Sequence, residues 1–89
     1  MANFMLARID VKDFAEWKAS YDSHKHARDA AEMTEKYLLQ DTDNPNKVTM
    51  LFEAKDLEKA REFNESDDLI EAMQDSGVVG EPEMYLLEG

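Results

Sequence analysis

The sequence predicts an α+β domain of βαββαβ order, in which one antiparallel four-stranded sheet carries helices on one face and a second copy of the chain on the other. Three observations carry this. Short apolar runs alternate with amphipathic helical stretches in that order, the strand runs are apolar on both of their faces, and 89 residues supply helices enough for only one face. A chain this short buries only about 60 to 65% of its unfolded surface, so one copy alone is marginally stable and a partner copy is an expected support.

Residues 3–9 form an apolar run before Asp10 that is too short for a helix and suits a covered strand. Asp13, with Glu16 three residues on, reads as a capping box. The helix it starts is expected to run from 13 to 31, because no Gly or Pro interrupts it and Phe14, Trp17 and Tyr21 recur at helical spacing. Residues 34–41 and 47–54 flank the turn formers Thr42-Asp43-Asn44-Pro45-Asn46 and form a β-hairpin. Asp56 caps a second helix with Leu57, Ala60 and Phe63 on one side, and Ser66 recaps a short continuation with Leu69, Ile70 and Met73 inside. Gly77 ends it, and after Gly80 and Pro82 residues 83–88 read as the last strand.

Alternation assigns the faces. Strand one sets Phe4, Leu6 and Arg8 against Met5, Ala7 and Ile9; strand three sets Val48, Met50 and Phe52 against Thr49 and Leu51; the last strand sets Met84 and Leu86 against Tyr85 and Leu87. Burying each large apolar side chain contributes roughly 1.5 to 3 kcal/mol, so several on the uncovered face outweigh the cost of association and predict a homodimer through the sheet faces.

Composition excludes several classes of function. A net charge of −11, from 21 acidic and 10 basic residues, repels phosphate backbones and anionic lipid, so neither nucleic acid nor membrane is an expected partner. Without cysteine there is no disulfide, thiolate metal site or thiol nucleophile. With no signal-peptide pattern and no apolar run near the roughly 18 residues of a membrane span, the expected location is the cytoplasm. Asn64-Glu65-Ser66 is then a chance glycosylation tripeptide. Asp41-Thr42-Asp43-Asn44 fails as a calcium loop, since Pro45 follows at the fifth position and Asn46 replaces the required glycine. No Gly-rich phosphate loop, serine elbow or zinc spacing occurs, and neither a cofactor nor a metal is expected.

At about 100° per residue, Trp17, Tyr21, His24 and Arg28 share one face of the first helix, with Phe14 beside them. The stripe begins apolar and ends titratable and cationic. One reading makes it the lining of a pocket for a planar or anionic ligand, with rings against the ligand and Arg28 or His24 meeting its charge. The other makes Trp17 and Tyr21 core, with His24 and Arg28 half in water near the helix end. His26 points about 180° away, so the two histidines cannot chelate one metal from a regular helix. Arg8 interrupts an apolar strand and needs a partner, either a carboxylate such as Glu53 or Glu88 or an anionic ligand. If the chain is an enzyme, its tools suit proton transfer on an acidic carbon or phenol, with His24 and Tyr21 as the catalytic pair and Trp17, Phe14, Arg28 and Arg8 as the substrate contacts.

The first-helix pattern Phe14-x-x-Trp17-x-x-x-Tyr21-x-x-His24-x-x-x-Arg28, the hairpin turn Asp43-Asn44-Pro45-Asn46 and the ending Gly77-Val78-Val79-Gly80-Glu81-Pro82 resemble the dimeric α/β-barrel superfamily, in particular its antibiotic biosynthesis monooxygenase-like and cyclase-like members. The resemblance covers nearly the whole chain as a single domain, 1–89. It implies a ferredoxin-like protomer whose sheet packs on that of a second protomer. Such relatives include cofactor-free oxygenases of aromatic polyketides, haem-degrading enzymes and lactone isomerases, so the fold does not select an activity. The haem-degrading members use a tryptophan on a strand, whereas Trp17 is predicted on a helix.

Overall fold

The computed structural model describes residues 2–89. Its elements are β1 (Asn3–Val11), α1 (Phe14–Ser23), α2 (Lys25–Ala30), β2 (Met33–Gln40), β3 (Lys47–Ala54), α3 (Leu57–Glu65), α4 (Asp67–Asp75) and β4 (Val78–Glu88). The four strands form one sheet in the order β2-β3-β1-β4, and every neighbouring pair is antiparallel. This is the ferredoxin-like α+β architecture that the element order predicts, with each helical crossover broken into two pieces.

The central strand β1 sets the geometry of both faces. Met5, Ala7, Ile9 and Val11 are buried, as are Val48, Met50, Phe52 and Ala54 on β3, and the helices cover this side. On the opposite face the register lines up Tyr37, Leu51, Leu6 and Tyr85 in one row across all four strands, with Phe4 beside Leu87. Tyr37 is 60% exposed and Tyr85 48%, and Leu39 and Leu87 are exposed on the same side. The two-sided apolar character expected from alternation is therefore present, and one side lies open in the single chain.

Two elements depart from the expected boundaries. The first helix does not run unbroken from 13 to 31: it stops at His24, whose φ of −95° and ψ of 9° leave the α region, and α2 restarts at Lys25. Local side chains compete for the carbonyls there, with the Ser23 hydroxyl donating to the Ser20 carbonyl (2.7 Å) and the His26 ring to the Ser23 carbonyl (3.1 Å). The last strand starts at Val78 and not at Glu83. It is an edge strand, which tolerates Pro82, and the register shift opposite Arg8 and Asp10 absorbs Gly80 at a φ of +71°. Ile70, expected inside, is 43% exposed.

The capping assignments are observed. Asp13 accepts from the Glu16 amide, Asp56 from the Glu58 and Lys59 amides, and Ser66 from the Leu69 amide. Gly77 takes a φ of +88° after α4, where an L side chain would be strained. The hairpin turn also fastens the first helix. The side-chain oxygen of Asn46 accepts from the Phe14 amide (3.0 Å), its amide donates to the Lys12 carbonyl (3.2 Å), and its own backbone carbonyl accepts from Val11 (2.9 Å). One residue thereby ties the β2–β3 turn to the start of α1. Asn46→Ala removes both side-chain bonds and is expected to lower the unfolding free energy by about 1 to 2 kcal/mol, with the urea midpoint falling at unchanged slope.

Candidate functional site

Above the buried face of the sheet, the gap between α1/α2 and α3/α4 is not filled. A cavity of about 70 Å³ lies there. Its floor is β1 and β3 through Met5, Ala7, Met50 and Phe52, and its far wall is Phe63 with Leu69, Ala72 and Met73 of α4. The near wall is the predicted stripe: Trp17, Tyr21, His24 and Arg28 all line the cavity, joined by Ser20. The lining is apolar except where Ser20, His24, Arg28 and Ser76 reach it.

The stripe is held together by stacking. Trp17, 3% exposed, stacks on Tyr21 with ring centroids 4.9 Å apart, and Phe14 packs against Trp17 at 5.8 Å without lining the cavity itself. The guanidinium carbon of Arg28 sits 3.7 Å from the Tyr21 ring centroid, and its Nη1 donates to the Tyr21 carbonyl at 2.8 Å. Arg28 is only 9% exposed, yet none of the ion pairs among the described residues includes it. Among the described residues, its guanidinium meets a π face and one carbonyl oxygen.

His24, half-buried at the break between α1 and α2, points Nδ1 at the Ser20 carbonyl over 3.4 Å. A carbonyl only accepts, so this contact suits the tautomer with its proton on Nδ1 and leaves Nε2 with its lone pair free. His26 is exposed, with its ring 5.9 Å from that of His24. Among the described residues, no group of three or more His, Asp and Glu side chains is placed to hold a metal ion.

Tyr21 makes a contact that the sequence reading missed. Its hydroxyl donates to Glu35 on β2 at 2.8 Å. Burial first, and then this hydrogen bond to a carboxylate, push the phenol well above its ordinary value, with Arg28 opposing. Tyr21 is thus held as a neutral donor. Glu35 escaped notice because the register of β2 shifts between Glu35 and Tyr37, so that Glu35 faces the helices while Tyr37 faces the open side.

Arg8 does not join this site. It is exposed on the opposite face of the sheet, across from Thr49 on β3 and Glu83 on β4. Neither Glu53 nor Glu88 pairs with it, and Glu53 instead meets Lys36 at 3.1 Å. Exposure removes the need for a buried partner on which that expectation rested.

The fold is shared with solved structures along nearly its whole length. SnoaB, a cofactor-independent oxygenase from Streptomyces nogalater, superposes with a TM-score of 0.70 at 15% identity over 99% of this chain and 92% of that one. A conserved protein from Methanosarcina mazei Go1 gives 0.73 at 22% identity over 98% and 91%. An antibiotic biosynthesis monooxygenase gives 0.72 at 10% identity over 98% and 97%. The fold is that of the antibiotic biosynthesis monooxygenase-like proteins. No protein-family model matches the sequence, and no curated protein matches it. At these identities the likeness describes the fold alone.

The raised phenol has a measurable consequence. Because the folded protein favours the protonated form, Tyr21 contributes stability that is complete below about pH 10 and declines as the pH rises beyond it. Tyr21→Phe is expected to be less stable than the parent at pH 8 by about 0.5 to 1.5 kcal/mol, with the gap narrowing above pH 10 in urea titrations. The tyrosinate absorbance that develops between pH 10 and 11 should be the same in the two proteins.

Proposed function

We propose that this protein binds a small planar, enolisable compound in the cavity between helices and sheet, and acts on it as a cofactor-independent monooxygenase or isomerase. The observation that carries this reading is that a base and a cation, His24 and Arg28, line one largely apolar cavity. The likeness in fold to SnoaB, described as a cofactor-independent oxygenase, supports it.

In this mechanism His24 Nε2 removes a proton from an acidic C–H or phenol, and Arg28 lies near the resulting anion. The stacked rings of Trp17 and Tyr21 hold the flat substrate, and the apolar walls exclude water, which strengthens the interaction with Arg28. An isomerase returns the proton to another carbon. A monooxygenase converts CH2 to C=O with O2, one oxygen atom entering the product and the other leaving as water. Tyr21, engaged with Glu35 and kept neutral, orients Arg28 and does not serve as the base.

A second reading is favoured by that same engagement. With Tyr21 committed to Glu35, one titrating group remains at the cavity, which suits a non-catalytic ligand-binding module. Oxygen uptake and hydrogen–deuterium exchange at the acidic carbon, assayed with hydroquinones and aryl β-ketones, separate the two. The enzyme reading expects turnover that falls about 100-fold or more in His24→Ala, whereas binding without turnover establishes the module, and turnover unchanged in His24→Ala removes His24 as the base.

The open sheet face supports a homodimer as the working form. The row Tyr37, Leu51, Leu6 and Tyr85 presents apolar side chains across the full width of the sheet, of the kind that sheet-on-sheet packing covers. At micromolar concentration the protein is expected to sediment as a dimer and Leu51→Glu as a monomer. A parent protein that sediments as a monomer under the same conditions rules the assembly out.

A further inference from the structure

We infer that the compound bound in this cavity carries one negative charge of its own, as a carboxylate on an apolar body, and that the free edge of the Arg28 guanidinium receives it. This rests on the cavity being a ligand site, and goes beyond that reading by fixing the charge and polarity of the ligand before any proton is removed.

The argument begins with the desolvation of Arg28. A guanidinium does not give up its proton inside a protein, so burial cannot be relieved by neutralisation and must be met by an opposing charge or by hydrogen bonds. At 9% exposure Arg28 has no opposing charge paired with it among the described residues, and its nitrogens that lack a protein partner are not buried outright but remain reachable from outside. Its one protein hydrogen bond runs from Nη1 to the Tyr21 carbonyl, which leaves most of a five-donor fork without a protein acceptor. Glu35, the carboxylate bonded to the tyrosine on which Arg28 lies, is engaged by the Tyr21 hydroxyl. A cation held this way on a cavity wall is complementary to an anion that arrives from outside.

The rest of the cavity restricts which anion. Its volume of about 70 Å³ is roughly half that of an enclosed cavity that takes a benzene ring. A ligand of one ring with a short side chain therefore keeps part of its body at the open mouth of the site. Beyond Ser20, His24, Arg28 and Ser76 the lining offers only hydrocarbon, thioether and aromatic surface, Met5, Met50, Met73 and Met84 among it. A second charge on the arriving ligand would have no partner there, whereas one formed later by proton transfer is matched by the His24 imidazolium created with it, and a chain of net charge −11 repels polyanions over distance. Nucleotides and sugar phosphates are thereby disfavoured. A monocarboxylate with an apolar body satisfies both ends, and the polarizable methionines adapt to the shape of the body.

The test uses three probes of one shape: 3-phenylpropanoate, 3-phenylpropanol and 3-phenylpropylamine. Trp17 is the only tryptophan, so quenching of its emission reports occupancy of the cavity directly, and calorimetry gives the affinities. The acid is expected to bind about tenfold or more tighter than the alcohol, with the amine weakest. In Arg28→Met the preference for acid over alcohol should fall to about one, and in Arg28→Lys it should survive in part. The comparison among probes in the unaltered protein stands even if a variant fails to fold. Alcohol binding as tightly as acid, with Trp17 quenched by both, overturns the charge assignment and keeps the cavity as a ligand site. No quenching by any probe at millimolar concentration overturns both.

Discussion

The central strand governs this molecule. β1 pairs with β3 on one side and β4 on the other, and its period-two alternation places Met5, Ala7 and Ile9 under the helices while Phe4 and Leu6 lie on the open side. Both sets are apolar, so a shift of one residue would keep each face greasy but would carry Arg8 and Asp10 into the interior. That cost in buried charge helps to fix the register. The cavity and the open face both follow from it: the inward residues floor the cavity, and the outward ones align across four strands.

Much of this was legible in the sequence because it depends on short-range rules. Asp13, Asp56 and Ser66 announce helix starts through side chains that reach only two or three residues ahead, and each is seen in that role. The spacing of Trp17, Tyr21, His24 and Arg28 likewise puts them on one wall, and the break at His24 does not disperse them. What escaped were departures from regular geometry. The helix break comes from serine and histidine side chains competing for main-chain carbonyls, a balance that neither Gly nor Pro signals. The early start of β4 depends on its edge position, which topology decides. Glu35 was hidden by the bulge in β2, since strict alternation groups it with Tyr37.

The site also reconciles the two sequence readings of the stripe. Trp17 is core by burial and cavity wall by position, so the alternatives of packing and binding describe one arrangement. Arg28, expected half in water near the helix end in one of those readings, is instead withdrawn beneath the surface and laid on Tyr21. The chain spends a carboxylate on keeping that tyrosine in place while leaving the arginine without one.

The far wall of the cavity differs from the rest in how it is anchored. α4 has no fully buried side chain, whereas α3 beside it inserts Ala60 completely and α1 inserts Trp17. It is held between a serine cap at one end and a left-handed glycine at the other. Fewer buried contacts lower the cost of local opening in this segment, and under the ligand-binding reading proposed above α4 is the wall through which a guest would enter and leave. Occupancy would then be felt as slower amide exchange along residues 67–75, with the free energy of capture partly converted into rigidity of this one wall.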